Sequence, residues 1–198
     1  MPRSQSAPGR PRESRVDAAV AAAVHELMPE VGYAGLTMDA IAARAKVGKA
    51  AIYRRYRSKA ELVFGTLVHG QTPPPFPTDV SLLDDLTELA RNVVASMTRP
   101  HVAAAAPGMF AEVVSNDEFA QRFRETFVAS EKAYLRQVVD RAVARGELRG
   151  EVDLDLLHAS VIGTSFYWVF NLRQPVDARL PERIARHTAA ALLALDAA

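Results

Sequence analysis

From Glu13 onwards apolar residues return every three to four positions: Val16, Val20, Val24 and Leu27 form one stripe, the pattern of an amphipathic helix. Pro29 lacks an N–H and clashes one turn back, so it predicts an end or a kink, and Gly32 a stop. Thr37 reads as the N-cap of a second, short helix with Met38, Ile41 and Ala45 on one face and Asp39 in the first turn. Leu36 ahead of that cap is placed to pack on Ile41. The turn Lys46-Val47-Gly48 leads into a third helix, Lys49 to Tyr56, and Ser58 with Glu61 forms a capping box for a fourth reaching about Gln71. Four prolines within residues 72–79 then force extended backbone. Further helices are predicted at about Ser81 to Thr98, at Val102 to Val114 with an interruption at Pro107-Gly108, and from Asn116 to Arg145 behind a capping box at Ser115 and Glu118. Gly146 closes that long helix, Asp153 caps another through about Leu172, and Pro181 opens the last. Strict apolar–polar alternation is almost absent, so the fold class is all-α with no sheet.

This divides the chain into a disordered basic arm at 1–12, a three-helix head with a connecting helix at 13–71, a proline-rich connector at 72–80 and an all-helical body at 81–198. Charge follows the same division. The formal net charge of +1 conceals a head with 11 Lys+Arg against 5 Asp+Glu over residues 1–60, a net +6, and a remainder carrying a net −5. Such asymmetry is expected where one end meets phosphates. The absence of cysteine removes disulfides, thiol nucleophiles and thiolate metal sites. With no apolar signal segment at Met1 to Ser14 and no uncharged stretch long enough for a bilayer, a cytoplasmic protein with no membrane partner is expected.

The candidate chemistry lies between Gly32 and Leu62. At 100° per residue the third helix places Ile52 and Tyr56 together and fans Lys49, Ala50, Tyr53 and Arg54 across the other side. A short helix with a packed back and a basic, hydroxyl-bearing front fits the major groove of double-stranded DNA. By the same geometry Arg54 and Arg55 are assigned to the groove wall or the phosphates. Lys59 sits at a helix start, where a cation is disfavoured unless an anion such as a phosphate arrives.

The pattern Thr37-x-x-x-Ile41-Ala42, Ile52-Tyr53 and Tyr56-x-Ser58-Lys59-x-x-Leu62 resembles the DNA-binding head of the tetracycline-repressor (TetR) family, closely over Ala18 to Val63. The body resembles that family at Arg141 to Leu148 and Val152 to Asp155. The resemblance implies that Thr37, Tyr53 and Lys59 bind phosphates and that Lys49 and Ala50 approach base edges. It makes Ile41, Val47, Ile52 and Tyr56 packing residues. Where the family often has Gly in the turn and Ser at the start of the recognition helix, this chain has Lys46 and Gly48; Lys46 is a candidate phosphate contact and a candidate site of strain.

In the body, apolar residues surround the helix from Asp153, so a second subunit is the natural cover. Val161, Ile162, Phe166 and Val169 there, with Ile184, Ala191 and Leu195 on the last helix, are the candidate dimer interface, the four-helix arrangement the resemblance also implies. Met97, His101, Met109, Phe110, Phe119, Phe123, Phe127, Tyr134 and Trp168 are either ordinary core or the lining of a pocket for a small apolar or aromatic effector. No catalytic, metal or cofactor constellation is found: the five histidines are scattered and no Gly-rich phosphate loop occurs. The expected function is a ligand-responsive regulator, a repressor on the strength of the resemblance, binding an inverted-repeat operator as a homodimer. The alternatives are a constitutive DNA-binding protein without a pocket and a helical binding protein whose head does not bind DNA.

Overall fold

The computed structural model describes residues 10–68 and 80–196, all of them helices and connecting turns with no strand. Residues 1–9 of the arm expected at 1–12, the proline run at 72–79 and the side chain of Leu195 lie outside the described residues. The described residues form two compact units: 10–68 together with Pro100–Phe119, and 80–99 together with 120–196.

The first unit holds α1 (Arg10–Gly35), α2 (Met38–Ala45), α3 (Lys49–Tyr53), α4 (Lys59–Val68) and α6 (Pro100–Ser115). α1 begins three residues inside the segment expected to be an arm. It also runs straight through Pro29 and breaks at Gly32, where φ 65° and ψ 175° are accessible only without a Cβ. The stop therefore belongs to the glycine. The α1 stripe delivers Val20, Val24, Leu27 and Met28 to a core completed by Leu36, Ile41, Ile52, Leu62 and Val63. α6 adds Ala105 and Met109 to that core, so it packs with the head rather than with the body, and it continues without interruption through Pro107-Gly108.

The second unit holds α5 (Leu82–Met97), the long helix formed by α7 (Asp117–Phe123, whose residues up to Phe119 belong to the first unit), a π-turn at Arg124–Val128 and α8 (Ala129–Ala144), then α9 (Leu154–His158), α10 (Thr164–Phe166) with π-turns on both sides, and α11 (Leu180–Asp196). Asn116, not Ser115, caps the long helix: its Oδ1 accepts from the Phe119 N–H at 3.0 Å, whereas the Ser115 hydroxyl donates back to the Ala111 carbonyl. Gly146 ends that helix at φ 75°, as its spacing predicts. Asp153 caps α9, accepting from the N–H groups of Asp155 and Leu156. Leu82, Leu86, Leu135, Val138, Leu157, Val161, Leu180 and Ile184 form the core. Inside it lies one carboxylate, Asp85, 2% exposed and ion-paired to Arg141 and Arg145.

Candidate nucleic-acid interface

α2, the turn and α3 are built from caps and a few buried anchors. The Thr37 hydroxyl accepts from the Ala40 N–H at 3.1 Å and so starts α2, while Ile41 at 0% exposure ties it to the core. Lys46 ends α2 in the left-handed region at φ 54°, which turns the next N–H, that of Val47, back onto the Ala42 carbonyl at 3.1 Å. A lysine there has a Cβ that crowds the following carbonyl. Lys46→Gly is therefore expected to raise stability by about 0.5–1 kcal/mol, after the greater freedom of the unfolded glycine is allowed for, as read from thermal unfolding.

α3 is only five residues long, so it relies on its neighbours to stay helical. Ile52, 1% exposed, fixes its back; Lys49, Ala50, Tyr53 and Arg54 are exposed at its front, Tyr53 at 54%. The helix stops at Tyr53 rather than Tyr56, but the Tyr56 N–H still bonds the Ile52 carbonyl at 3.0 Å and its half-buried ring packs on the head core. Lys49 lies 2.7 Å from Asp39 across an exposed pair that a stronger anion can displace.

Two candidates have partners within the protein that their sequence reading did not include. Arg55 is turned away from the front: its Nε pairs with Asp17 on α1 at 2.8 Å and its Nη1 donates to the Ala51 carbonyl at 3.0 Å. With the charge matched and partly buried, it clamps the end of α3 to α1. Lys59 is half-buried, its Nζ donating to the Tyr33 carbonyl at 2.8 Å and lying 4.3 Å from the centre of the Tyr33 ring. Nothing in the spacing of Lys59 announced Tyr33, which is 26 residues away; only the Gly32 break brings that carbonyl round.

The aromatic and thioether set divides. His101, Met109, Phe110 and Phe119 lie in the first unit, where the His101 ring stacks on His25 at 4.0 Å and Met109 and Phe119 are core. Met97, Phe123, Phe127, Tyr134 and Trp168 lie in the second; Phe123 and Phe127 pack at 5.2 Å, and Trp168 meets Arg183 and the Pro175 carbonyl. The hollow of about 540 Å³ in the body is a surface groove along α8 lined by Arg124, Val128, Ala129, Lys132, Ala133, Arg136, Leu154 and Asp155, and it uses none of the predicted residues. Its basic wall faces carboxylates of Glu151, Asp153 and Asp155 in the adjoining hollow, so charge does not choose a ligand for it.

The dimer candidates divide as well. Val161 at 0% and Ile184 at 4% exposure are core of their own body and offer no surface to a partner. Ala191 is exposed and Ile162, Phe166 and Val169 are half-buried, while the large exposed apolar groups of this region include Leu156, Tyr167, Leu172, Val176 and Leu193. Tyr167 and Leu172 lie beyond a π-turn, which inserts a residue and rotates the face that follows it, whereas Leu156 precedes the π-turns and Leu193 stands on the uninterrupted α11.

Comparison with known proteins agrees with this geometry. Residues 20–65 match the family described as bacterial regulatory proteins, tetR family, and residues 76–188 match the tetracyclin repressor-like C-terminal domain. The chain belongs to the TetR family of transcriptional regulators. It is 27% identical over 164 residues to the uncharacterized HTH-type transcriptional regulator YdeS of Bacillus subtilis, covering 82% of each chain. Over 156 residues it is 30% identical to the DNA-binding transcriptional repressor TetR of Mycobacteroides abscessus, covering 74% of this chain and 77% of that one. The crystal structure of the TetR family transcription regulator SCO0332 shares the fold at a TM-score of 0.69 and 24% identity, covering 91% of this chain and 97% of that one. TetR-family membership assigns the α2–α3 segment to a DNA-binding head and the second matched region to a ligand-binding domain, and the family is one of regulators rather than enzymes. Among the described residues no helix is long and apolar enough to cross a membrane.

Proposed function

We propose that this chain is a homodimeric repressor that binds an inverted-repeat operator through α3 and releases it when a small apolar or aromatic effector occupies the body. The observation that carries this reading is the division of α3 into a buried Ile52 and an exposed front of Lys49, Ala50, Tyr53 and Arg54. Thr37, Lys46 and Lys59 border that front at the helix ends and the turn, where phosphates would lie. One five-residue helix reads few base pairs, so two heads on a two-fold axis are needed, and Leu156, Tyr167, Leu172 and Leu193 supply exposed apolar surface for pairing bodies. Repression is the role named for the Mycobacteroides abscessus relative. In the body, the half-buried Phe123, Phe127, Tyr134 and Trp168 are the aromatic surface an effector of this kind would engage.

Selection of bound duplexes from a random pool tests the reading. The expected product is an inverted repeat with half-site centres about 34–36 Å apart along the duplex. No enrichment, or enrichment of a lone half-site, would overturn the operator and the dimer respectively. An effector that couples by about 1–3 kcal/mol would change affinity for the selected duplex roughly 5- to 150-fold.

A further inference from the structure

We propose that Tyr33 is a positioning residue for Lys59, holding its ammonium where a DNA phosphate arrives, and that Gly108 and Glu112 of α6 fix Tyr33 in that task. The inference rests on the reading of the head as a DNA-binding unit and adds residues that no DNA-contact pattern names.

Tyr33 stands one residue beyond the Gly32 break, 9% exposed, with its ring between the start of α4 and the middle of α6. Its backbone carbonyl takes one of the three Lys59 N–H donors at 2.8 Å, and its ring face lies 4.3 Å below the same nitrogen. Two donors remain on a half-exposed side chain at the first residue of α4. A free lysine side chain samples many rotamers, and the Tyr33 carbonyl and ring remove much of that freedom before any phosphate is met.

α6 holds the tyrosine from the other side. The Tyr33 hydroxyl donates to Glu112 Oε1 at 3.0 Å. Burial, and then this bond to Glu112, push the phenol well above its ordinary range, so it stays a donor. Gly108 faces the root of the ring: a Cβ there would stand 2.3 Å from Tyr33 Cδ1 and 2.7 Å from its Cβ. Those distances leave no room for any other residue without moving the ring, and with the ring the cradle of Lys59. The backbone of Gly108, the ring and carbonyl of Tyr33 and the side chain of Lys59 therefore form a contiguous series from α6 to the start of α4.

The test is a double-mutant cycle on the full-length protein with the selected operator duplex, measured over a range of salt concentrations. Lys59→Met is expected to weaken binding roughly tenfold or more, and to reduce the slope of log affinity against log salt by about 0.9 per head. Gly108→Ala is expected to cost about three- to tenfold with a loss of slope in the same direction, and Tyr33→Phe, which removes only the bond to Glu112, about two- to threefold. In the Lys59→Met background neither is expected to weaken binding further, because both act through the lysine. Equal losses with and without Lys59, or losses without a change of slope, would mean that Tyr33 only supports the fold, and the inference would be wrong. If Gly108→Ala does not fold by thermal unfolding, the Tyr33→Phe cycle alone decides. An unchanged affinity for Lys59→Met would overturn the phosphate role of the lysine itself, a different failure from additive losses.

Discussion

Replacing both Arg141 and Arg145 by methionine is expected to lower stability by about 3–5 kcal/mol, because it leaves the Asp85 carboxylate buried with no counter-charge. The carboxylate is 0% exposed in its side chain, and both guanidiniums that reach it come from the last turns of α8. At the size of this chain the loss corresponds to a fall in melting temperature of roughly 6–20 °C. Adding Asp85→Leu to the double variant is expected to restore most of it, since a packed apolar residue is often as stable as a buried ion pair. Urea midpoints for the single, double and triple variants check the order. If the double variant matched the parent, the carboxylate would have to reach water by some other path.

The second large effect concerns DNA. Tyr53→Ala combined with Arg54→Ala is expected to weaken operator binding by roughly a hundredfold or more, on the basis of about 1–3 kcal/mol for each lost contact. Both side chains are exposed and Arg54 carries no salt bridge among the described residues, so the melting temperature is expected to stay unchanged. That separation of binding from stability is the useful readout. A fall in both would place the residues in the packing of the head, and a fall in neither would remove α3 from the interface.

Much of the head can be read from residue order because its determinants are local. Thr37 three residues before Ala40, Ile41 at helical spacing from Met38 and Ala45, and Ile52 four before Tyr56 mark α2 and the back of α3 from local sequence. Arg55 shows where local reasoning ends. A helical wheel places it near the front, and only the ion pair with Asp17, 38 positions earlier, turns it round. Lys59 is the same case, with its partner in the backbone of a turn. Pro29 and Pro107 misled in another way: each removes one N–H, but α1 runs past its proline to the break at Gly32 and α6 runs through its own, so tertiary packing overrides propensity at both. The body was harder. Its π-turns shift the period that face-counting relies on, and α6 sits with the head although the sequence places it after the connector.

The brevity of α3 also bears on engineering. Five residues cannot hold a helix in water, and this one keeps its pose through Ile52 beneath it and the Asp17–Arg55 clasp at its end. Transplanting residues 49–53 into another regulator to alter its target would carry the letters of recognition without their posture. A working exchange would have to bring the aspartate on the first helix along with the arginine it grips.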